Sequence, residues 1–137
     1  IIATAKALEV TDSTRVSECE RVSVMRDRLV DEIRAALDGV LETVPRQHRV
    51  PGAAHLCFSG VENEALLFLL DQVDVCASAA SACASGAMEP SHVLEAMGIE
   101  RSWSNGALRL SLGHTTTNAD IDKAVSAIVS AVNQLRR

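Results

Sequence analysis

The 137-residue chain has no tyrosine, one tryptophan and two phenylalanines. So few aromatic rings leave almost no material for the stacking platform that grips single-stranded nucleic acid. A formal charge of −5 points the same way, because binding along a phosphate backbone draws on surplus lysine and arginine. Nucleic acid is therefore not an expected partner. No apolar run approaches the ~18 residues needed to cross a bilayer, so no membrane association is expected either. Residues 1–10 carry neither the basic start nor the cleavage site of a secretory signal. There is no glycine-rich phosphate loop after a strand, which leaves nucleotide binding without an anchor.

Lysine occurs only at Lys6 and Lys123. Both lie in helical patterns, and neither stretch offers the desolvated pocket that a Schiff-base lysine needs. The four cysteines (Cys19, Cys57, Cys76 and Cys83) form no CxxC pair, and His48, His55, His92 and His114 keep no metal-ligand spacing with them. A structural zinc site is not supported. In an acidic chain this scatter of thiols reads as reduced cysteines of a cytoplasmic protein rather than as a disulfide framework.

What is present is an ordinary globular composition, with 47% hydrophobic and 23% charged residues. The length suits one domain, and no linker or internal repeat divides it. The chain opens on Ile1 rather than on Met, so a processed or truncated piece of a longer polypeptide is the expectation. Residues 2–9 are strong helix formers, followed by a polar break at 11–14. Val22, Met25, Leu29, Ile33 and Leu37 then recur at spacings of three and four, which predicts one apolar stripe, with Arg26, Arg28, Asp31 and Arg34 on solvated faces. Gly39 suits a left-handed stop. Short strands are predicted at 40–44, 53–58, 73–77 and 107–112, and short helices at 62–71 and 91–97, the first of them apolar nearly all round. The last helix starts at a Thr117/Asp120 capping pair and carries Ile121, Val125, Ile128, Val132 and Leu135 down one face. Without regular strand–helix–strand spacing, the class is α+β: a small antiparallel sheet of three to four strands, a long N-terminal helix and an amphipathic C-terminal one.

Residues 78–87 (SAASACASGA) are small throughout and read as a loop. A thiol in such surroundings has little apolar cover, which makes Cys83 the candidate reactive cysteine, against the plainer reading of a small buried hydrophobe. Cys57 and Cys76 fall in apolar strand patterns and are expected in the core. Cys19 sits on a charged helical stretch. Arg109 stands on the polar face of the ALRLSL strand, either solvated or forming a two-pronged carboxylate site. His92 and His114 read as surface histidines before they read as proton shuttles.

The segment SACASG followed by EPSHVLEAMG, and then LRLSLGHTT ahead of an acidic amphipathic helix, resembles the C-terminal part of the NifS/IscS-type cysteine desulfurases, which are pyridoxal-phosphate enzymes of the aminotransferase fold class. Upstream, FSGVENEALLFLLD resembles the strand, turn and helix before that family's cysteine loop. The likeness covers nearly the whole chain and is weakest over 38–50. It implies that residues 1–38 are a helical lead-in from a large domain and 39–137 the small domain of a fold-type I enzyme. By the same resemblance Cys83 is the catalytic cysteine, which takes sulfur from L-cysteine as a persulfide and releases L-alanine, and Arg109 holds the substrate carboxylate. The loop cysteine of some members also serves as an iron–sulfur ligand when a scaffold protein docks, which extends that role to Cys83.

The resemblance also implies what is not in this stretch. The family's cofactor lysine, stacking histidine and cofactor aspartate belong to the large domain, so this polypeptide alone is not expected to desulfurate cysteine. His114 stands where many relatives carry Arg or Lys. Three readings follow: half of a desulfurase that works with a large domain or companion chain; a stand-alone sulfur carrier or cluster-ligand module; or a remnant without chemistry. The expected partners are the cofactor-binding half, a second copy in a homodimer, and a sulfur acceptor or iron–sulfur scaffold.

Overall fold

The computed structural model describes residues 1–79 and 91–137. A long helix α1 (Ile2–Ala36) leads into strand β1 (Val40–Glu42), a single 3₁₀ turn at Arg46–His48 and strand β2 (Ala53–Phe58). Helix α2 (Asn63–Asp71) follows; beyond the undescribed stretch come the short helices α3 (His92–Ala96) and α4 (Arg101–Ser104), strand β3 (Ala107–Ser111) and helix α5 (Asn118–Leu135). The three strands form one antiparallel sheet in the order β1-β2-β3, with Val40 opposite Phe58 and His55 opposite Arg109. Gly39 makes the turn into β1 at φ +63°, where a Cβ would collide with the Ser59 hydroxyl.

Strand periodicity gives the sheet two different faces. Ala54, Leu56 and Phe58 of β2, with Leu108 and Leu110 of β3, pack into the main core against Met25, Leu29, Val30 and Ile33 of α1 and Ile121, Ile128 and Val132 of α5. The whole predicted α1 stripe, Val22 to Leu37, is buried. The opposite face holds a smaller cluster, in which Cys57 and Ala107 are covered by Leu94 of α3 and flanked by Ile99 and Trp103. Helix α5 starts at the anticipated capping box: the Asp120 N–H donates to the Thr117 hydroxyl oxygen, and the Thr117 N–H donates to the Asp120 carboxylate.

The structure departs from the sequence reading in several places. No break interrupts α1 at 11–14, because the Ser13 and Thr14 hydroxyls donate to the Val10 carbonyl within the helix (2.7 and 3.4 Å). The expected strand at 73–77 is absent. The end of α2 continues as turns, with the N–H groups of Val73 and Val75 both bonded to the Leu70 carbonyl and Asp74 left-handed at φ +55°. Pairing resumes only at Ser78. Phe68 turns outward, so α2 is not buried on all sides. Arg26 is buried rather than solvated: its guanidinium donates to the Val50 and Pro51 carbonyls (3.0 and 2.8 Å) and pairs with Asp27. Arg28 pairs with Glu32 and Asp122, and Asp31 with Arg46. Helix α4 was not anticipated; it is a single turn ending before Gly106, whose missing side chain lets the strand pass close to the Phe58 carbonyl. Strand β1 ends at Glu42, two residues before its expected limit.

Candidate functional site

Arg109 is the third residue of β3, and the alternation of ALRLS sends it to the face opposite Leu108 and Leu110, where it is exposed. Its backbone is pinned on both sides. Across β2 it opposes His55, and on its other side it exchanges two hydrogen bonds with Ser78, donating to the Ser78 carbonyl at 2.7 Å and accepting from the Ser78 N–H at 3.1 Å. Ser78, which opens the small-residue stretch, is thereby fixed at the strand position that carries Arg109. Cys83 itself lies outside the described residues, as does most of the stretch 78–87 that the sequence reads as a loop. On the far side of that stretch, α3 begins at His92 and is tied to the sheet by Leu94 against Cys57 and Ala107.

His55 shares this face. Its Nδ1 lies 2.9 Å from the Thr43 hydroxyl, and its Nε2 is buried without a hydrogen-bond partner among the described residues. Burial, and then the positive charge of Arg109, hold its pKa below the ordinary histidine value. The imidazole is therefore neutral at neutral pH. The alternation in AAHLCF was the available signal for His55, since it puts the ring on the polar face; only the strand register reveals that it opposes Arg109.

The turn after β3 is held from α1. The Arg21 guanidinium donates to the carbonyls of Thr116 (2.8 Å), His114 (3.0 Å) and Gly113 (3.2 Å), while Glu18 pairs with it at 2.9 Å. His114 thus takes part through its backbone, in an exposed turn. Of the other thiols, Cys57 is buried as expected and burial pushes its pKa up to about 11. Cys76 is exposed, contrary to the expectation that it packs in the core, because the strand that would have turned it inward does not form. Cys19 is half-buried on α1.

The chain matches the family model for aminotransferase class V over residues 1–124. The chain belongs to this family. Curated relatives include an IscS-like cysteine desulfurase of Mycobacterium tuberculosis, 45% identical over 118 residues, spanning 85% of this chain and 30% of the relative. Cysteine desulfurase NifS of Azotobacter vinelandii is 39% identical over 119 residues, 87% of this chain and 30% of the relative. Cysteine desulfurase IscS of an Anaeromyxobacter species is 38% identical over 136 residues, 99% of this chain and 33% of the relative. A solved NifS-like protein superposes with a TM-score of 0.81 at 22% identity, covering 95% of this chain and 32% of that one, which shows that the fold is shared. The chain thus spans about a third of the length of the curated relatives it matches.

The residues of this stretch do not fit the family's cofactor by themselves. Lys6 and Lys123 have side chains 67% and 51% exposed, each beside a carboxylate, Glu9 and Asp74 respectively. Neither has the desolvated pocket that a Schiff-base lysine needs. No helix among the described residues is long and apolar enough to cross a membrane.

Proposed function

We propose that this chain is the small-domain part of a cysteine desulfurase. In this reading Cys83 accepts sulfur from L-cysteine: a sulfur–sulfur bond forms on Cys83, the carbon–sulfur bond of the substrate breaks, and the carbon skeleton leaves protonated as L-alanine. The thiol is replaced by a persulfide, so atoms and electrons balance without an outside oxidant. Pyridoxal phosphate supplies the carbon–sulfur cleavage in such enzymes and belongs to the part of the protein that carries its lysine. Arg109 binds the substrate carboxylate through two parallel N–H donors, a geometry that lysine cannot reproduce.

The observation that carries the reading is the double hydrogen bond between Ser78 and Arg109. It roots the loop bearing Cys83 five residues from that cysteine, beside the arginine. A nucleophile on a loop needs such a fixed root if it is to meet a substrate held by the sheet and then present its sulfur elsewhere. The exposed apolar residues Ile2, Leu8, Val10 and Val16 of α1 support a partner surface there, for which the cofactor-binding half is the occupant. A homodimer, a sulfur acceptor or iron–sulfur scaffold that docks on the persulfide, and a reducing cytoplasm complete the proposal.

The test uses the cofactor-loaded enzyme that contains this chain. With L-cysteine it yields alanine in step with one added sulfur on Cys83, seen by peptide mass mapping without reductant. Cys83→Ala abolishes both. Arg109→Gln raises KM for L-cysteine at least tenfold, the loss of a charge-assisted pair, and Arg109→Lys recovers only part of it. Alanine production that persists at the wild-type rate in Cys83→Ala overturns the assignment.

A further inference from the structure

Resting on that reading, we propose that His55 is a positioning residue for Arg109, holding the guanidinium fork toward the substrate with the lone pair of its Nε2. Three observations carry this. His55 and Arg109 are direct cross-strand partners on one face of the sheet, which sets their Cβ atoms about 5 Å apart, within reach of an imidazole and a guanidinium. The His55 ring is fixed at its other nitrogen by the Thr43 hydroxyl at 2.9 Å, and Thr43 is itself buried and bonded through its N–H to the His55 carbonyl at 3.2 Å. The remaining nitrogen is buried and has no hydrogen-bond partner among the described residues. A buried polar nitrogen left unpaired is costly, so a site with a neighbouring donor is expected to use it.

The tautomer follows from the neighbours. The Thr43 hydroxyl has one proton and also approaches the His55 carbonyl, at 3.5 Å. If it donates there, it accepts from Nδ1–H, and the lone pair is left on Nε2. The positive charge of Arg109 favours that arrangement over an N–H pointed at a cation, and it resists a second proton on the ring. Among the described residues, the groups that face His55 from the surrounding elements are few. Arg109 lies on β3, and the Cys57 thiol, two residues along β2, stays protonated across the neutral range. Thr43 and Ser78 are uncharged. Glu42 opposes Leu56 and lies with Arg49 and Asp27 on the α1 side of the sheet, away from the ring. Protonation of His55 therefore sets one cation directly against another and releases the fork.

Kinetics of the cofactor-loaded enzyme across pH, together with ring titration by NMR on the chain, test this. In the wild type, KM for L-cysteine rises as pH falls through the His55 pKa, below the ordinary histidine range, with kcat much less affected. His55→Gln keeps an acceptor that does not titrate: its KM stays within about threefold of wild type at neutral pH and loses the acid rise. His55→Phe keeps the bulk without the lone pair, raises KM about tenfold above the wild-type value at neutral pH and leaves it without the acid rise. In the chain, Arg109→Gln moves the His55 ring pKa upward, and this readout stands even if His55→Phe does not fold. A wild-type KM in His55→Phe, an acid rise that survives in His55→Gln, or a ring pKa indifferent to Arg109→Gln overturns the inference. If the wild type makes no alanine from cysteine, the functional reading fails, and the NMR titration still judges the pairing of His55 with Arg109.

Discussion

Burial separates the thiols that sequence pattern treats alike. Cys57 and Cys76 both sit in short alternating apolar stretches, yet one is sealed beneath Leu94 and the other is exposed. Alkylation of the native chain followed by peptide mapping is expected to modify Cys76 readily and to leave Cys57 untouched until the protein unfolds. The Cys57 thiol has a second consequence. Its folded pKa of about 11 lies above the unfolded 9.0, so the unfolded chain gives up its proton first as pH rises. Its contribution is whole below pH 9.0 and drains away between there and about 11, by up to roughly 3 kcal/mol. Denaturant titrations near neutrality and near the upper limit will show this loss in the wild type and not in Cys57→Ala. Equal pH slopes in the two proteins would show that the thiol reaches water more easily than its burial implies.

Elements with a complete local signature form where the sequence puts them, and the strands at 53–58 and 107–111 form as well, but alternation by itself does not guarantee a strand. Helix α5 has its cap, its stripe and its start within eighteen residues of one another, and all are found. Thr117→Ala removes the cap and is expected to cost about 1 kcal/mol in thermal or denaturant unfolding. Hydrogen bonds, first from the Thr117 N–H and then from its hydroxyl, hold the Asp120 carboxyl below its ordinary pKa, so this cap weakens as pH falls below 3.8 and Asp120→Asn lacks that acid sensitivity. The stretch 73–77 shows the opposite case. Its alternation is real, and Val75 does point into the core, but α2 captures the N–H groups that a ladder would need. Alternation reports which side chains want burial, not where the backbone donors go. The polar stretch 11–14 misleads for a related reason, since hydroxyls that often end helices can also bond back into them. The tie between Arg21 and the turn at 113–116 is equally invisible in the sequence, because about ninety residues separate the partners. Arg21→Met leaves three carbonyls to water and one carboxylate unpaired. A modest loss of stability is expected, with faster amide exchange confined to the turn and the first residues of α5. Uniformly faster exchange across the molecule would show that the tie supports the whole fold instead.

At the scale of the molecule, the main asymmetry is along α1. From Val22 onward the helix is one wall of the core, whereas residues 1–17 are exposed throughout, with Leu8, Val10 and Val16 among the uncovered apolar side chains. Nothing in the described chain packs on that half. It is held by helix continuity, by pairs such as Lys6–Glu9 and Asp12–Arg15, and by hydroxyl bonds, each worth a few tenths of a kcal/mol at an exposed site. A helix of about this length is marginal in water without tertiary contacts, so its order depends on continuation from the packed half. Hydrogen exchange on the isolated chain should therefore show a gradient. Amides of residues 2–17 are expected to exchange within seconds to minutes, while those around Leu29 and Ile33 remain protected up to global unfolding. In the proposed enzyme, with a cofactor-binding half present, the first half of α1 should become protected as Leu8, Val10 and Val16 are covered. Replacing Leu8 and Val16 together by lysine should remove that added protection while leaving exchange at Leu29 and Ile33 unchanged. Protection of 2–17 that is already complete in the isolated chain at low concentration would mean that this half of the helix is stable without a partner, and the uncovered apolar residues would then need another explanation.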